Sequence, residues 1–171
     1  MLEYLSLLNF IKRCYDRVGG EKEDVVDAVN IAKYIVDKCI TDNQLITNLA
    51  VQKILFFIQK EFLKQTGDVA FYDEIQAWKY GPVVPAAYRV FCGFGAKPIF
   101  FNVKDYDDTF PKWAKKIIDD ITVEKREVDV FKLVRETHKE KGAWKKAFDK
   151  GTGTVITKEM ILEEIRFDCD Y

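Results

Sequence analysis

Histidine is almost missing from this chain: among 171 residues only His138 is present. That excludes any metal or proton-relay site built on two or more imidazoles, and it leaves a Ser-His-Asp or Cys-His arrangement with one candidate base. The cysteines Cys14, Cys39, Cys92 and Cys169 lie far apart, so no C-x-x-C metal or redox pair exists. With no sign of secretion, they are expected to be free and mostly buried thiols in a reducing cytoplasm. Net charge is also missing. The 27 basic and 28 acidic residues leave −1, which argues against a surface that grips nucleic acid as a whole. Long apolar runs are absent too, since stretches such as 54–58 are far too short to span a bilayer. The apolar opening at 1–11 carries Glu3 early, has Lys12 and Arg13 behind it rather than ahead, and shows no small-residue cleavage site, so it does not read as a targeting peptide. A cytoplasmic protein without membrane contact is expected.

Phosphate-binding signatures are equally thin. Gly151-Thr152-Gly153 has no adjacent lysine and no preceding buried strand, as a phosphate loop would need. Gly93-Phe94-Gly95 lacks the third glycine and the following helix of a dinucleotide fingerprint. Asp105, Asp107 and Asp108 do not follow the ligand spacing of a calcium loop. No cofactor and no metal is implied.

What is present is apolar and aromatic. Residues of hydrophobic type make up 48% and aromatics 14%, against 32% charged, which describes one globular domain with a sizeable core. Helical spacing occurs at 2–18, at 24–40 with Asp24 as N-cap, and at 48–65 behind Thr47 or Asn48, the last ended by Gly67. An extended segment follows near 74–78, then Gly81-Pro82 as a turn and a helix over 83–92. A second extended run, 98–103, is expected to pair with 74–78. Further helices are read at 110–121 (capped by Asp108 or Thr109), 129–139, 143–149 and 158–166, the last behind Thr157. The fold class is therefore mainly α: a compact helical domain of seven or eight helices with at most a short two-stranded β element. Residues 1–22 read as an N-terminal helical extension and 23–171 as the domain.

Several features compete for a function. Basic residues concentrate between 112 and 150, but acidic ones interleave with them, as on a solvated face. A winged-helix-like nucleic-acid regulator would need the helix over 48–65 to present Lys53, Lys60 and Lys64 on its exposed side, beside Glu61. An enzyme centred on His138 would need a thiol or carboxylate next to it. The stretch Trp78-Lys79-Tyr80-Gly81-Pro82-Val83-Val84-Pro85 packs aromatics, Gly and Pro into one corner ahead of a helix that carries Tyr88. Such residues give rigid apolar contact area at low entropic cost, as in interaction hot spots.

The same residues carry a resemblance. The run 45–57 with its Gln52-Lys53 pair, the Trp-Lys-Tyr-Gly-Pro-Val-Val-Pro corner at 78–85 with Tyr88, and Thr137-His138 followed by Trp144 are similar to the Panacea antitoxin domain, the SocA-like and phage-associated GepA-like family. The resemblance covers about 25–166 and leaves residues 1–22 and the acidic tail outside. It implies a mostly helical bacterial or prophage protein that neutralises a cognate toxin by direct binding. Some members act as adaptors that deliver the toxin to a protease. It implies no catalytic residues. Candidate partner-binding residues are Trp78, Tyr80, Gly81, Pro82, Val83, Val84, Pro85, Tyr88, His138 and Trp144. A chaperone or protease is a further expected partner, and self-association through the N-terminal helix another. Nucleic acid is not an expected one.

Overall fold

A computed structural model of the chain describes residues 26–101 and 104–169. The expected helix over 2–18, Cys14 and Asp24 lie outside them.

The first described helix, α1, is Ala28–Thr41. Its N-cap is Asp27, whose carboxylate accepts the Asn30 N–H at 2.6 Å, so the helix starts later than the Asp24 reading places it. Helix α2, Asn48–Thr66, is capped by Thr47 and ends at Gly67, which adopts the left-handed φ of 72° that closes a helix at little cost to glycine. Apolar residues occur on nearly every side of α2, and Val51, Ile54, Leu55, Phe56 and Ile58 are all buried. A helix apolar all round must sit inside other elements. Accordingly α1, strand 81–83 of the hairpin described next and the helices over 85–91, 112–126, 130–137 and 158–169 all pack against it.

Strand β1, Gln76–Trp78, pairs antiparallel with β2, Gly81–Val83, so the turn is Lys79-Tyr80 and Gly81-Pro82 belongs to the second strand. The expected partner of β1, the run at 98–103, lies elsewhere: Pro98 bridges Thr47 and the Ile99 N–H donates to the Ile46 carbonyl at 2.8 Å. The other side of β1 is taken by the segment after α6. Ala77 N–H donates to Thr154 O at 2.9 Å, and Gly153 N–H donates to Ala77 O at 2.8 Å. Ala77 therefore asks nothing of Pro82 opposite it, and a residue without an N–H fits there.

Helix α3 is Pro85–Phe91, shorter than the expected 83–92 because Val83 completes β2, and a 3-10 turn, Cys92–Phe94, follows it. Helix α4, Lys112–Arg126, starts after Pro111 with no side-chain cap. Asp108 is instead ion-paired with Lys115, and Phe110 is pulled into the core against Tyr34, with rings 5.3 Å apart. Helices α5 (Val130–Thr137), α6 (Ala143–Phe148) and α7 (Lys158–Cys169) complete the fold. Seven α-helices and one two-stranded sheet among the described residues make it mainly α. Of the three described cysteines only Cys39 is buried; Cys92 and Cys169 are exposed, against the expectation of mostly buried thiols.

One charged cluster ties the C-terminal helices to α2. The buried Glu164 carboxylate pairs with Lys60 and accepts the Ala143 N–H at 2.7 Å, which caps α6. Asp168 joins Lys60 and Lys139 at 2.7 and 2.8 Å. Removing Glu164 would leave a buried N–H without an acceptor and Lys60 with half its counter-charge. Glu164→Ala is expected to cost about 3 kcal/mol of stability, and Thr47→Ala about 1 kcal/mol, each read as a lower midpoint in urea unfolding.

Candidate functional site

The corner is held from beneath by polar groups of α2. Asn48, Gln52 and Lys53 lie on the side of the helix that meets the hairpin and α3. Gln52 Oε1 accepts the Val84 N–H at 2.9 Å, and its Nε2 donates to Asn48 Oδ1 at 3.0 Å. Asn48 Nδ2 in turn donates to the Tyr88 carbonyl at 3.1 Å. Lys53 is 0% exposed, and its ammonium donates to the Pro82 carbonyl at 2.9 Å. This replaces the expectation of Lys53 on an exposed helix face. Lys60, from the same expected face, is committed to Glu164 and Asp168. The basic face required by a winged-helix reading is therefore reduced to Lys64.

Gly81 is fixed by two constraints at once. Its φ is +100°, and a Cβ there would lie 2.7 Å from Thr137 Oγ1 and 2.8 Å from Lys53 Cε. The backbone of β2, the stem of Lys53 and the last turn of α5 thus meet at one point, and only glycine leaves room for them. On the far side of that point His138 stacks face to face on Trp144, with ring centroids 3.6 Å apart and planes at 5°. Trp144 stacks further on Phe148 at 4.7 Å. Trp144 Nε1 donates to the Trp78 carbonyl at 2.9 Å, so α6 is pinned to the end of β1.

Burial separates the candidate residues into two groups. Gly81, Pro82, Val83, Val84 and Trp144 are buried; Pro85 and His138 are half-buried. Trp78 is half-buried, Tyr80 is 54% exposed and Tyr88 36% exposed. The Trp78 and Tyr88 rings pack 5.1 Å apart, and the Lys79 ammonium lies 5.4 Å over the Tyr80 ring. The inner group sets the shape of the corner; the outer rings are what it presents.

His138 is placed for support rather than for proton transfer. Its Nε2 is buried without a hydrogen-bond partner, and burial together with the nearby Lys53 charge lowers its pKa. No carboxylate or thiol meets that nitrogen, which is what an enzyme centred on His138 would require. Among the described residues no group of three His, Cys, Asp or Glu side chains is arranged to hold a metal ion.

Sequence reasoning does not place Asn48, Gln52, Lys53 and Thr137 beneath the corner: it reads Asn48 only as a helix cap, Gln52 and Thr137 only as residues of the family resemblance, and Lys53 also as an exposed cation. The signal was available: α2 has no continuous polar stripe in its first half, so polar residues there had to be buried and needed partners. Two consequences are measurable. Gly81→Ala is expected to destabilise the fold by about 3 kcal/mol, because strain at positive φ and steric overlap add. Burial lowers the Lys53 pKa from 10.5 to about 7. The folded chain then holds fewer protons than the unfolded chain above that value, so stability rises with pH. Between pH 7 and 9 this gain amounts to about 2 kcal/mol. Lys53→Met is expected to flatten that slope in urea titrations, while Lys60→Met leaves it in place.

Comparison with known proteins agrees with this arrangement. The family model described as "Antitoxin SocA-like, Panacea domain" matches residues 51–145, more than half of the chain. That span contains Lys53, the corner, Thr137, His138 and Trp144. Antitoxin SocA of Caulobacter vibrioides (strain NA1000 / CB15N) is 40% identical over 74 residues. The match covers 43% of this chain and 39% of that protein, so it spans well under two thirds of the relative. No solved structure matches the chain. With its buried Gln52-Lys53 pair under a Gly-Pro-Val-Val-Pro corner and its His138–Trp144 stack, the chain belongs to the SocA-like Panacea antitoxin family.

Proposed function

We propose that this chain is an antitoxin that silences its toxin by binding it directly, with the corner around Trp78, Tyr80 and Tyr88 as the contact surface. The observation that carries the reading is the rigid mounting of those rings. The hairpin turn that holds Tyr80 is fixed by Lys53 and Gly81 beneath it, and Tyr88 is fixed through Trp78 and through Asn48 on its carbonyl. Aromatic side chains already immobilised before binding lose little entropy on contact, which is why they dominate interface energetics. The buried part of the corner then acts on the partner only through the shape it imposes.

The test uses the product of the adjacent open reading frame. Co-expression is expected to relieve its toxicity, and the two proteins are expected to co-purify. Tyr80→Ala should weaken the complex about tenfold or more while leaving the unfolding midpoint unchanged, and Tyr88→Ala should weaken it similarly with a small loss of stability, because Trp78 packs on that ring. Wild-type chain that neither rescues growth nor retains that product would sink the reading. The amount of toxin in rescued cells separates the modes: undiminished toxin marks blocking by binding, and vanishing toxin marks delivery to a protease.

A further inference from the structure

The end of the bundle from which α1 departs carries two uncovered rings. Tyr72 is 69% exposed and Trp113 54%. Contacts fix both at that end. The Trp113 ring packs on Phe62, with centroids 5.6 Å apart, one turn before α2 ends. Gln59, one turn earlier and on the same side of α2, holds the segment that leads into Tyr72. Its Nε2 donates to the Phe71 carbonyl at 3.0 Å, and its Oε1 accepts the Ala70 N–H at 2.8 Å. Asp73, next to Tyr72, accepts the Ala28 N–H at 2.9 Å, which ties the same segment to the first residue of α1. Val26, Val69 and Ala70 pack half-buried against the core beside them.

Residues 1–25 join the domain at this point, and their sequence calls for a cover. Leu2, Leu5, Leu8, Ile11 and Tyr15 recur at helical spacing, and within 1–11 Glu3 is the only charged residue. A single helix of this length is marginal in water and gains its stability by burying its apolar stripe. Residues 19–25 link that stretch to Val26, and Gly19-Gly20 at their start let the chain reverse direction. Position counts against the other strongly exposed pair of rings, Phe100 and Phe101. They follow Ile99, whose N–H donates to the Ile46 carbonyl beyond the far end of α1. With 14 residues, α1 is about 21 Å long. The linker reaches about 24 Å only when fully extended, so it would have to run almost straight to arrive there. Tyr72 and Trp113 need no such extension.

We propose that residues 2–18 dock as an amphipathic helix on this end of their own domain, their apolar stripe covering Tyr72 and Trp113. Large aromatic rings give such a contact much apolar area from few residues. The docking surface lies at the C-terminal end of α2, whereas the corner is mounted on Asn48, Gln52 and Lys53 near its N-terminal end. The 19 residues of α2 separate its ends by about 28 Å. The docked segment therefore leaves the corner open, and the inference stands apart from the antitoxin reading.

Hydrogen exchange of the full chain, read by mass spectrometry on peptides from 2–18, tests this. In the wild type these amides are expected to exchange at least about tenfold more slowly than those of an unfolded peptide. Tyr72→Ser with Trp113→Ser is expected to remove that protection, and Phe100→Ser with Phe101→Ser to keep it. Amides over 51–58 in α2 stay protected in both variants if the domain remains folded. A wild-type segment that exchanges like unfolded chain overturns the proposal. So does protection that survives the first variant or vanishes in the second. Protection that fades on dilution assigns the segment to a second copy of the chain. Protection that arises only with the adjacent open reading frame's product assigns it to the toxin. Either result overturns docking on its own domain. Should the first variant loosen α2, Leu5→Glu with Leu8→Glu takes its place, since it alters no residue of 26–171. It is expected to speed exchange at 70–73 and 112–115 as the cover is lost, and unchanged rates there overturn the proposal.

Discussion

A lysine amine buried beneath a proline carbonyl governs this fold. Lys53 is wholly enclosed, and Pro82 O is its acceptor. Enclosing an amine is costly, and the cost is tolerable only where the amine has a fixed acceptor and leaves its proton easily. Both conditions constrain the surroundings. The acceptor must come from a strand that runs close over α2, and the strand can run that close only because residue 81 has no side chain. The last turn of α5 must then end at the same point, with Thr137 filling the space a Cβ would take.

From that point outward the corner is built in two tiers. The lower tier is the polar set Asn48, Gln52 and Lys53, which takes up the backbone groups of Pro82, Val84 and Tyr88. The upper tier is the aromatic set, in which Trp78 leans on Tyr88 and gives its carbonyl to Trp144. Each tier fixes the other. Without the polar tier the hairpin would be a short two-stranded ribbon of the kind that is barely stable alone. Without the aromatic tier the buried polar groups would be open to water. The Lys60–Glu164–Asp168–Lys139 cluster repeats this logic at the C-terminal helices, where one buried carboxylate serves both a lysine and a helix N-terminus.

Much of this was legible in the residues. Apolar spacing located α2 and α5 to α7 closely, because their caps Thr47, Gly67, Asp129 and Thr157 act through local hydrogen bonds that sequence displays. The aromatic corner was also recognisable as a site. The strand partner was not. Ala77 pairs with Gly153 and Thr154, and Pro82 with nothing across the ladder, so the pairing was decided by tertiary contacts and not by turn chemistry alone. The start of α4 was misplaced because Asp108 and Thr109 look like caps, yet Asp108 is drawn to Lys115 and Phe110 to the core. Lys53 was misplaced for a related reason: lysine usually marks solvent, and only the absence of a polar stripe on α2 argues otherwise.

The proline in β2 has a consequence for what the hairpin can recruit. Gly81 and Val83 turn their backbone groups toward β1, which leaves Pro82 facing outward. Pro82 has no N–H, its carbonyl is occupied by Lys53, and the next amide, of Val84, is held by Gln52. The opposite margin of β1 is occupied by 153–156. The little sheet thus has no open border. It cannot lengthen by accepting another strand, whether from a copy of itself in aggregation or from an extended peptide, and whatever meets it must do so through side chains on its tip and flanks.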